Sequence, residues 1–206
     1  MTTAELLTKQ TIVAILRGIK PADTMNIVQA LYAGGIYAVE ITLNSEDALA
    51  VIKKLAVSAG EGILVGAGTV LNATDALAAI DAGARFIISP SFEPETIRVT
   101  KAKGVVSIPG AYTATEIVNA HTTGADIVKV FPASSPQYIK DLRAPLSHIP
   151  MMPTGGVNIS NIHAFRDAGA VAFGIGSALV DSREAVTAAY LASLTEKARA
   201  FVNAIS

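Results

Sequence analysis

The sequence predicts an α/β protein that folds as a single (β/α)8 barrel over residues 1–206. Short runs rich in Val, Ile and Phe recur along the chain, and the segments between them are Ala-rich with apolar residues at helical spacing. Regular alternation of strand and helix predicts a parallel sheet, because each crossover helix returns the chain to the same end of the sheet. About eight strands in so short a chain favour a closed barrel over an open sheet.

Eight apolar runs are the strand candidates: TIVAILR, YAVEITL, GILVGAG, ARFIISP, GVVSIP, DIVKVFP, PMMPTG and AVAFGIG. The predicted helices between them include DTMNIVQALYA, EDALAVIKKLA and ATDALAAIDA. Several runs follow a glycine suited to a left-handed helix C-cap, as in AGG before Ile36, AGA after Asp81, AKG before Val105, TGA before Asp126 and AGA after Asp167. No linker interrupts the pattern, so we expect one domain with its functional side chains where the strands end.

The composition favours a protein that associates with copies of itself. Charged residues make up 16% of the chain and hydrophobic residues 51%, against roughly 25% charged in an average domain, so part of the surface is expected to be covered by another copy. A net charge of −1, with 16 scattered basic residues, disfavours nucleic acid and anionic lipid as partners. The start of the chain fits neither a secretory signal nor a membrane span, and the apolar stretch 168–180 is too short to cross a bilayer. We therefore expect a cytoplasmic location.

Neither thiol chemistry nor metal chemistry is expected. The chain has no cysteine, which removes thiolate nucleophiles and Cys-based zinc sites. His121, His148 and His163 are spread over helix and loop segments without ligand spacing, so all three are assigned to structure. We expect no metal and no cofactor.

Lys129 is the first candidate for chemistry, because it stands in the otherwise apolar run DIVKVFPA. Burial disfavours the ammonium form, lowers the pKa and leaves free amine, which can attack a carbonyl carbon. Two alternatives are a lysine that extends its amine to the rim of the barrel and a lysine that pairs with a nearby carboxylate.

Glu40 is a second charge within an apolar strand, YAVEITL. Strand periodicity places Ala38, Glu40, Thr42 and Asn44 on one face and the apolar Val39, Ile41 and Leu43 on the other. If the apolar face meets the helices, Glu40 points into the barrel, where a carboxyl group near a lysine can move protons. The alternative is a structural ion pair with Lys129, which is unfavourable to bury.

Two glycine motifs, PTGGVNISN and GIGSALV, follow the seventh and eighth runs. Glycines let backbone amides approach an anion closely, and in barrels these two loops frequently bind phosphate. The candidate phosphate-binding residues are Thr154, Gly155, Gly156, Gly176 and Ser177. Either motif alone could be only a turn.

Arg17 closes the first strand candidate and Thr69 follows the third, so both are expected at the mouth of the barrel. A guanidinium group there suits bidentate binding of a carboxylate. The alternatives are a surface arginine and a threonine that caps the following helix.

The ordered motifs VEITLNS, GAGTVL, ISPSF, IPGAYTATE, VKVFPASSPQYIK, PTGGV and GIGSALV resemble those of the class I 2-keto-3-deoxy-6-phospho-sugar-acid aldolases along nearly the whole chain. The resemblance implies that Lys129 forms the imine, that Glu40 is the acid and base, and that Thr69 helps to hold the pyruvyl carboxylate. It also implies substrate contacts for Pro90 and Phe131, which lie in the matched motifs, phosphate contacts for the glycine loops, no cofactor, and a homotrimer.

The sequence combines features of two substrate branches of this family. The gluconate branch usually has an arginine where this chain has Asn44, whereas Asn44 itself, Arg17 and SSPQYIK resemble the galactonate branch. Thr154 instead resembles the gluconate branch, and its hydroxyl could discriminate the C4 epimers or accept either one.

The predicted reaction is cleavage of such a phospho-sugar acid to pyruvate and glyceraldehyde 3-phosphate. The rival functions are 4-hydroxy-2-oxoglutarate cleavage, a sugar-phosphate isomerase or epimerase on another phosphate-binding barrel, and a catalytically silent sugar-phosphate binding protein.

Overall fold

The computed structural model describes residues 2–9, 11–58, 60 and 62–206. This part of the chain contains nine helices and nine strands, which alternate except at one place where two strands follow each other. The strands are β1 (Thr11–Leu16), β2 (Ala38–Thr42), β3 (Leu64–Gly68), β4 (Phe86–Ile88), β5 (Val106–Ile108), β6 (Gly110–Ala111), β7 (Val128–Val130), β8 (Met151–Pro153) and β9 (Ala172–Ile175). The helices are α1 (Thr3–Leu7), α2 (Pro21–Ala33), α3 (Ala48–Ser58), α4 (Ala73–Asp81), α5 (Pro94–Ala102), α6 (Ala114–Thr123), α7 (Pro136–Arg143), α8 (Ile162–Asp167) and α9 (Ala188–Ile205). Each predicted apolar run contains a strand.

All of the strand ladders are parallel, as the alternation of elements predicts. Six strands form one sheet in the order β5-β4-β3-β2-β1-β9, and β6, β7 and β8 form a second sheet. The α/β class is therefore confirmed, with a curled parallel sheet whose strand ends point to the same side.

The prediction of one closed ladder needs correction, because the sheet is interrupted in two places. Pro109 is the last residue of the fifth predicted run and separates β5 from β6, which lies just beyond that run. Pro109 has no amide hydrogen to donate to a ladder, although its carbonyl accepts from the Lys129 amide at 2.9 Å. Between β8 and β9 a single isolated bridge joins Thr154 to Gly174. The observed structure is thus two arcs rather than one continuous eight-stranded ladder.

The apolar residues form two separate clusters, one on each side of the sheet. Ala38 belongs to the smaller inner cluster, whereas Val39 and Ile41 belong to the larger cluster between sheet and helices. This confirms that the face of β2 carrying Glu40 points inward. The inner cluster also contains Leu7 of α1, which is fully buried. This short helix was not predicted from the sequence, and it covers the end of the inner cluster at which the strands begin.

The predicted glycine C-caps are confirmed. Left-handed φ angles occur at Gly35 (93°), Gly83 (106°), Gly104 (70°), Gly124 (113°) and Gly169 (93°), and each of these glycines follows a helix and precedes a strand. Among the described helices, none is both long and apolar enough to cross a membrane.

Candidate active site

Lys129 lies at the centre of β7 and is only 4% exposed. Its Nζ lies 5.0 Å from the centroid of the Phe131 ring. Burial lowers the pKa of the Lys129 amine, the negative charge of Glu40 opposes that shift, and the positive charge of Arg17 reinforces it. Because Lys129 is so little exposed, the alternative in which its amine reaches solvent at the rim of the barrel is wrong.

Glu40 lies on β2, is 1% exposed, and packs directly against Gly68 on the neighbouring strand. Neither of its carboxyl oxygens has a hydrogen-bond partner. Burial raises the pKa of this carboxyl group, and the positive charges of Lys129 and Arg17 oppose the shift. The two groups therefore influence each other electrostatically, but they do not form the direct hydrogen-bonded ion pair that was the structural alternative.

A cavity of about 370 Å³ opens over Lys129, within the range of small-molecule sites. Its walls come from the ends of β1, β7, β8 and β9 and the segments that follow them. The lining residues are Ile15, Arg17, Lys129, Phe131, Thr154, Gly155, Gly156, Val157, Gly174, Gly176, Ser177 and Ala178. Eight of the candidate residues named from the sequence are among them.

Four lining residues, Ile15, Val157, Gly174 and Ala178, were not predicted. Gly174 could have been predicted from the sequence, because a glycine inside a strand often marks a place where another group approaches closely. A Cβ atom at Gly174 would collide with the side chain of Thr154. The Thr154 hydroxyl is buried without a hydrogen-bond partner, so it is available to a molecule in the cavity.

The two glycine loops meet at the cavity, as the sequence predicts. Gly155 and Gly156 adopt left-handed φ angles of 77° and 87°. A side chain at Gly155 would press on the ring of Phe131, 3.1 Å away. On the second loop, the Gly176 carbonyl accepts from the Leu179 amide at 2.8 Å, which closes a turn. The amides at the start of this turn are not hydrogen-bonded within the turn itself.

Arg17 lines the cavity and donates a long hydrogen bond to Thr69, which is not among the lining residues, with 3.5 Å between Nη2 of Arg17 and Oγ1 of Thr69. Thr69 has a φ of 54°, a left-handed conformation that is unfavourable for a β-branched residue and is often found at functional sites. The reading of Thr69 as a helix cap is wrong, because Asn72 caps α4 by accepting from the Asp75 amide at 2.8 Å.

Four of the candidate residues do not line the cavity: Glu40, Thr69, Asn44 and Pro90. β2 ends at Thr42, so the strand period does not extend to Asn44, which is exposed in the following turn. The placement of Asn44 on the same strand face as Glu40 is therefore corrected. Pro90 follows β4 and its backbone packs closely against Gly110.

A buried amine with a lowered pKa is suited to attack a carbonyl carbon, and the protein falls in the aldolase class of lyases. Residues 3–195 match the family of KDPG and KHG aldolases. The chain belongs to that family.

Named relatives cover most of the chain. It is 40% identical over 171 residues to a probable 2-dehydro-3-deoxy-6-phosphogalactonate aldolase of Rhizobium meliloti, covering 82% of this chain and 81% of the relative. It is 38% identical over 200 residues to the 2-dehydro-3-deoxy-6-phosphogalactonate aldolase of Escherichia coli, covering 96% and 95%. A KHG/KDPG aldolase of Escherichia coli is 34% identical over 164 residues, covering 78% and 76%.

Solved structures agree with this grouping. A structure described as native KDPGal superposes with a TM-score of 0.87 at 38% identity, covering 95% of this chain and 94% of the other. The KDPG aldolase of Legionella pneumophila, with pyruvate captured as a covalent carbinolamine intermediate, superposes with a TM-score of 0.87 at 25% identity, covering 98% of both chains.

Proposed function

We propose that the chain is a class I aldolase that cleaves 2-keto-3-deoxy-6-phosphogalactonate to pyruvate and glyceraldehyde 3-phosphate through an imine on Lys129. The observation that carries the proposal is the buried Lys129 amine, with its lowered pKa, at the floor of a cavity that also holds Arg17 and both glycine loops. The galactonate form is favoured because the relatives at 38–40% identity are named for it.

The proposed reaction begins when the free amine of Lys129 attacks the C2 carbonyl carbon. Water leaves and one proton is taken up from solvent, which gives a protonated imine. Glu40 takes the proton of the C4 hydroxyl group, the C3–C4 bond breaks, and its electron pair moves into the imine to form an enamine. Glyceraldehyde 3-phosphate leaves as the aldehyde. Glu40 then returns the proton to C3, and water hydrolyses the protonated pyruvyl imine to release pyruvate, the free amine and the proton taken up at the start.

The two ends of the substrate are bound by different parts of the site. Arg17 and Thr69 lie 3.5 Å apart at the mouth and supply donors for the carboxylate. The phosphate is bound by Thr154, Gly155, Gly156, Gly176 and Ser177, whose loops offer backbone amides and hydroxyl groups. Phe131 covers the imine-forming amine with its ring, while Asn44 and Pro90 lie outside the cavity lining.

Borohydride reduction in the presence of pyruvate tests the imine. We expect irreversible inactivation, with the pyruvyl mass added to the peptide that contains Lys129. A Lys129→Met variant, which keeps an unbranched side chain of similar length, is expected to fold and to show no labelling or turnover. Lys54→Met, at an exposed position of α3, is the matched control and is expected to behave as the unaltered protein. A label on another lysine contradicts the assignment.

The gluconate form is a second candidate substrate, because the Thr154 hydroxyl is buried, unpartnered and part of the cavity wall. Pyruvate release from the galactonate, gluconate and 4-hydroxy-2-oxoglutarate substrates measures the preference directly. We expect Thr154→Val to change the ratio of kcat/KM for the two epimers by about tenfold, since a lost hydroxyl–hydroxyl hydrogen bond acts on one epimer more than on the other. An unchanged ratio would remove Thr154 from epimer selection.

We further propose that the two arcs of sheet belong to one (β/α)8 barrel in a single domain over residues 1–206, and that copies of the chain assemble as a homotrimer in the cytoplasm. The support for assembly is the apolar surface, on which Val57 is 82% exposed and Leu71 is 56% exposed. Light scattering coupled to size-exclusion chromatography gives the mass in solution; a monomer at micromolar concentration contradicts the assembly.

A further inference from the structure

Ser45 links the segment after β2 to the residue that follows Arg17. The Gly18 amide donates to the Ser45 hydroxyl oxygen at 2.9 Å, although the two residues belong to different loops. Gly18 has a φ of 65°, a left-handed conformation, so the chain turns sharply just after Arg17. The hydrogen bond holds this turn against the end of the neighbouring strand.

Ser45 is itself held in place by a fully buried threonine. The hydroxyl groups of Ser45 and Thr42 lie 2.9 Å apart, and the Thr42 hydroxyl faces the Leu16 carbonyl at 3.5 Å. The contacts thus fix the backbone on both sides of Arg17, at the Leu16 carbonyl and at the Gly18 amide. Thr42 lies two residues after Glu40 on the same face of β2, so the strand that carries Glu40 also fixes the loop that carries Arg17.

Arg17 has little else that holds it in position. Its side chain is exposed and donates only a long hydrogen bond, of 3.5 Å, to the Thr69 hydroxyl among the described residues. An arginine binds a carboxylate with useful strength only when its planar donors are already aligned, because ordering the side chain during binding reduces the affinity. The backbone anchor at Gly18 supplies part of that alignment.

We propose that Ser45 is a positioning residue, which sets the carboxylate affinity of the site by fixing the backbone at Arg17. The inference rests on the proposed function, in which Arg17 binds the pyruvyl carboxylate. Ser45 makes no contact with substrate in this proposal. Its loss therefore acts on binding through Arg17 and leaves the chemistry at Lys129 and Glu40 in place.

A double-mutant cycle on Ser45 and Arg17 tests the proposal, with pyruvate as the probe. Two quantities are measured: KM and kcat for cleavage, and the pyruvate concentration that gives half-maximal inactivation by borohydride. Ser45→Ala is expected to raise KM and the half-maximal pyruvate concentration about five- to tenfold, the range of one hydrogen bond, with kcat within about twofold. Ser45→Thr keeps the hydroxyl group and is expected to restore both values.

The decisive arm is Ser45→Ala in an Arg17→Ala background, where no further rise in KM is expected because the residue it acts through is absent. A rise by the same factor in both backgrounds overturns the proposal, as does a lowered kcat at unchanged KM. Thr187→Ala is the matched control, since it removes a hydroxyl that accepts a backbone amide, from Tyr190 at 3.2 Å, at the start of α9. It is expected to lower stability without changing KM.

The same experiment separates this inference from the proposed function. If the unaltered protein forms no borohydride-reducible adduct with pyruvate, the proposed function fails, and the role of Ser45 fails with it. If the adduct forms at Lys129 and Ser45→Ala binds pyruvate as well as the unaltered protein, only the role of Ser45 is overturned.

Discussion

Glu40 and Lys129 place two ionisable groups in the interior, where water solvates neither of them well. The Glu40 oxygens have no hydrogen-bond partner, and burial is the largest influence on the pKa of both groups. Such an arrangement is unfavourable for the folded state, because burying a charge without hydrogen bonds destabilises a protein. The reactivity proposed for the site and the unfavourable burial of its charges therefore have the same origin.

The raised pKa of Glu40 predicts how the stability of the protein depends on pH. The folded state holds the Glu40 proton more tightly than the unfolded state, whose carboxyl group has a pKa near 4.5. Stability from this group is therefore fully present below pH 4.5 and is lost as the pH rises through the folded pKa. Urea unfolding at a series of pH values should show this loss in the unaltered protein, and a smaller one in Glu40→Gln. Parallel profiles for the two proteins would contradict the raised pKa.

Thr69 adopts a conformation that its own side chain disfavours, with φ at 54°. We expect Thr69→Gly to increase the free energy of unfolding by about 1 kcal/mol, because glycine relieves the strain while adding some freedom to the unfolded chain. The same change removes the hydroxyl group facing Arg17 and should weaken pyruvate binding. Chemical unfolding and pyruvate titration of one variant measure both effects, and a loss of stability would show that the conformation is unstrained.

At the scale of elements, β3 brings two glycines beside very different side chains. A Cβ atom at Gly66 would collide with the ring of Phe86, and one at Gly68 would collide with the carboxyl group of Glu40. Both substitutions overfill a buried space, so both are expected to destabilise the protein by about 1–3 kcal/mol. Their positions along one strand make them a matched pair.

We expect Gly68→Ala to lower kcat by about 100-fold, since small displacements of a catalytic group have large effects on rate. Gly66→Ala should leave kcat within a few-fold of the unaltered protein, because Phe86 belongs to the inner apolar cluster. Steady-state kinetics below the melting temperature of both variants measure the difference. Equal losses of kcat would mean that Glu40 does not need its present position.

Elements with strong local signals could be predicted from the sequence, whereas the interruptions could not. The glycine C-caps and apolar runs identify the strands and helices because φ preference and periodicity are local properties. The break at Pro109 depends on which neighbour the strand would pair with, which no local pattern encodes. Asn44 was misplaced because strand period was extended beyond the point where β2 ends.

The site was predictable to the extent that its residues are unusual in their local context. Lys129 and Glu40 stand out as charges within apolar strands, and two glycine loops stand out by composition. The role inferred for Ser45 had no such signal, since a serine in a turn is ordinary and its partner Gly18 is 27 residues away in sequence. The capping of α4 by Asn72 rather than Thr69 likewise required coordinates.

At the scale of the whole molecule, the two ends of the strands serve different purposes. The cavity over Lys129 opens where the strands end, whereas α1 covers the other end and buries Leu7 completely. The Thr11 hydroxyl donates to the Leu6 carbonyl at 2.7 Å, and Arg85 donates to the Thr3 hydroxyl at 3.2 Å, which holds α1 in place. Stability and catalysis are therefore expected to respond to different mutations.

Leu7→Ala tests this separation. The substitution leaves a cavity in the inner cluster and is expected to lower the free energy of unfolding by about 2–5 kcal/mol, with kcat and KM unchanged well below the melting temperature. Urea unfolding and pyruvate-release kinetics on the same preparation measure the two quantities. A fall in kcat of tenfold or more would show that packing at the covered end is transmitted to Lys129.

The buried carboxyl group and amine also affect how the reaction responds to ionic strength. Moving one proton from Lys129 to Glu40 converts a pair of opposite charges into two neutral groups, and the net charge of the pair is zero in both states. Proton exchange between them therefore leaves the net charge of the pair unchanged, and salt in the buffer is expected to have little effect on that step. Ionic strength should alter how quickly the anionic substrate arrives at Arg17 far more than how quickly it reacts once bound.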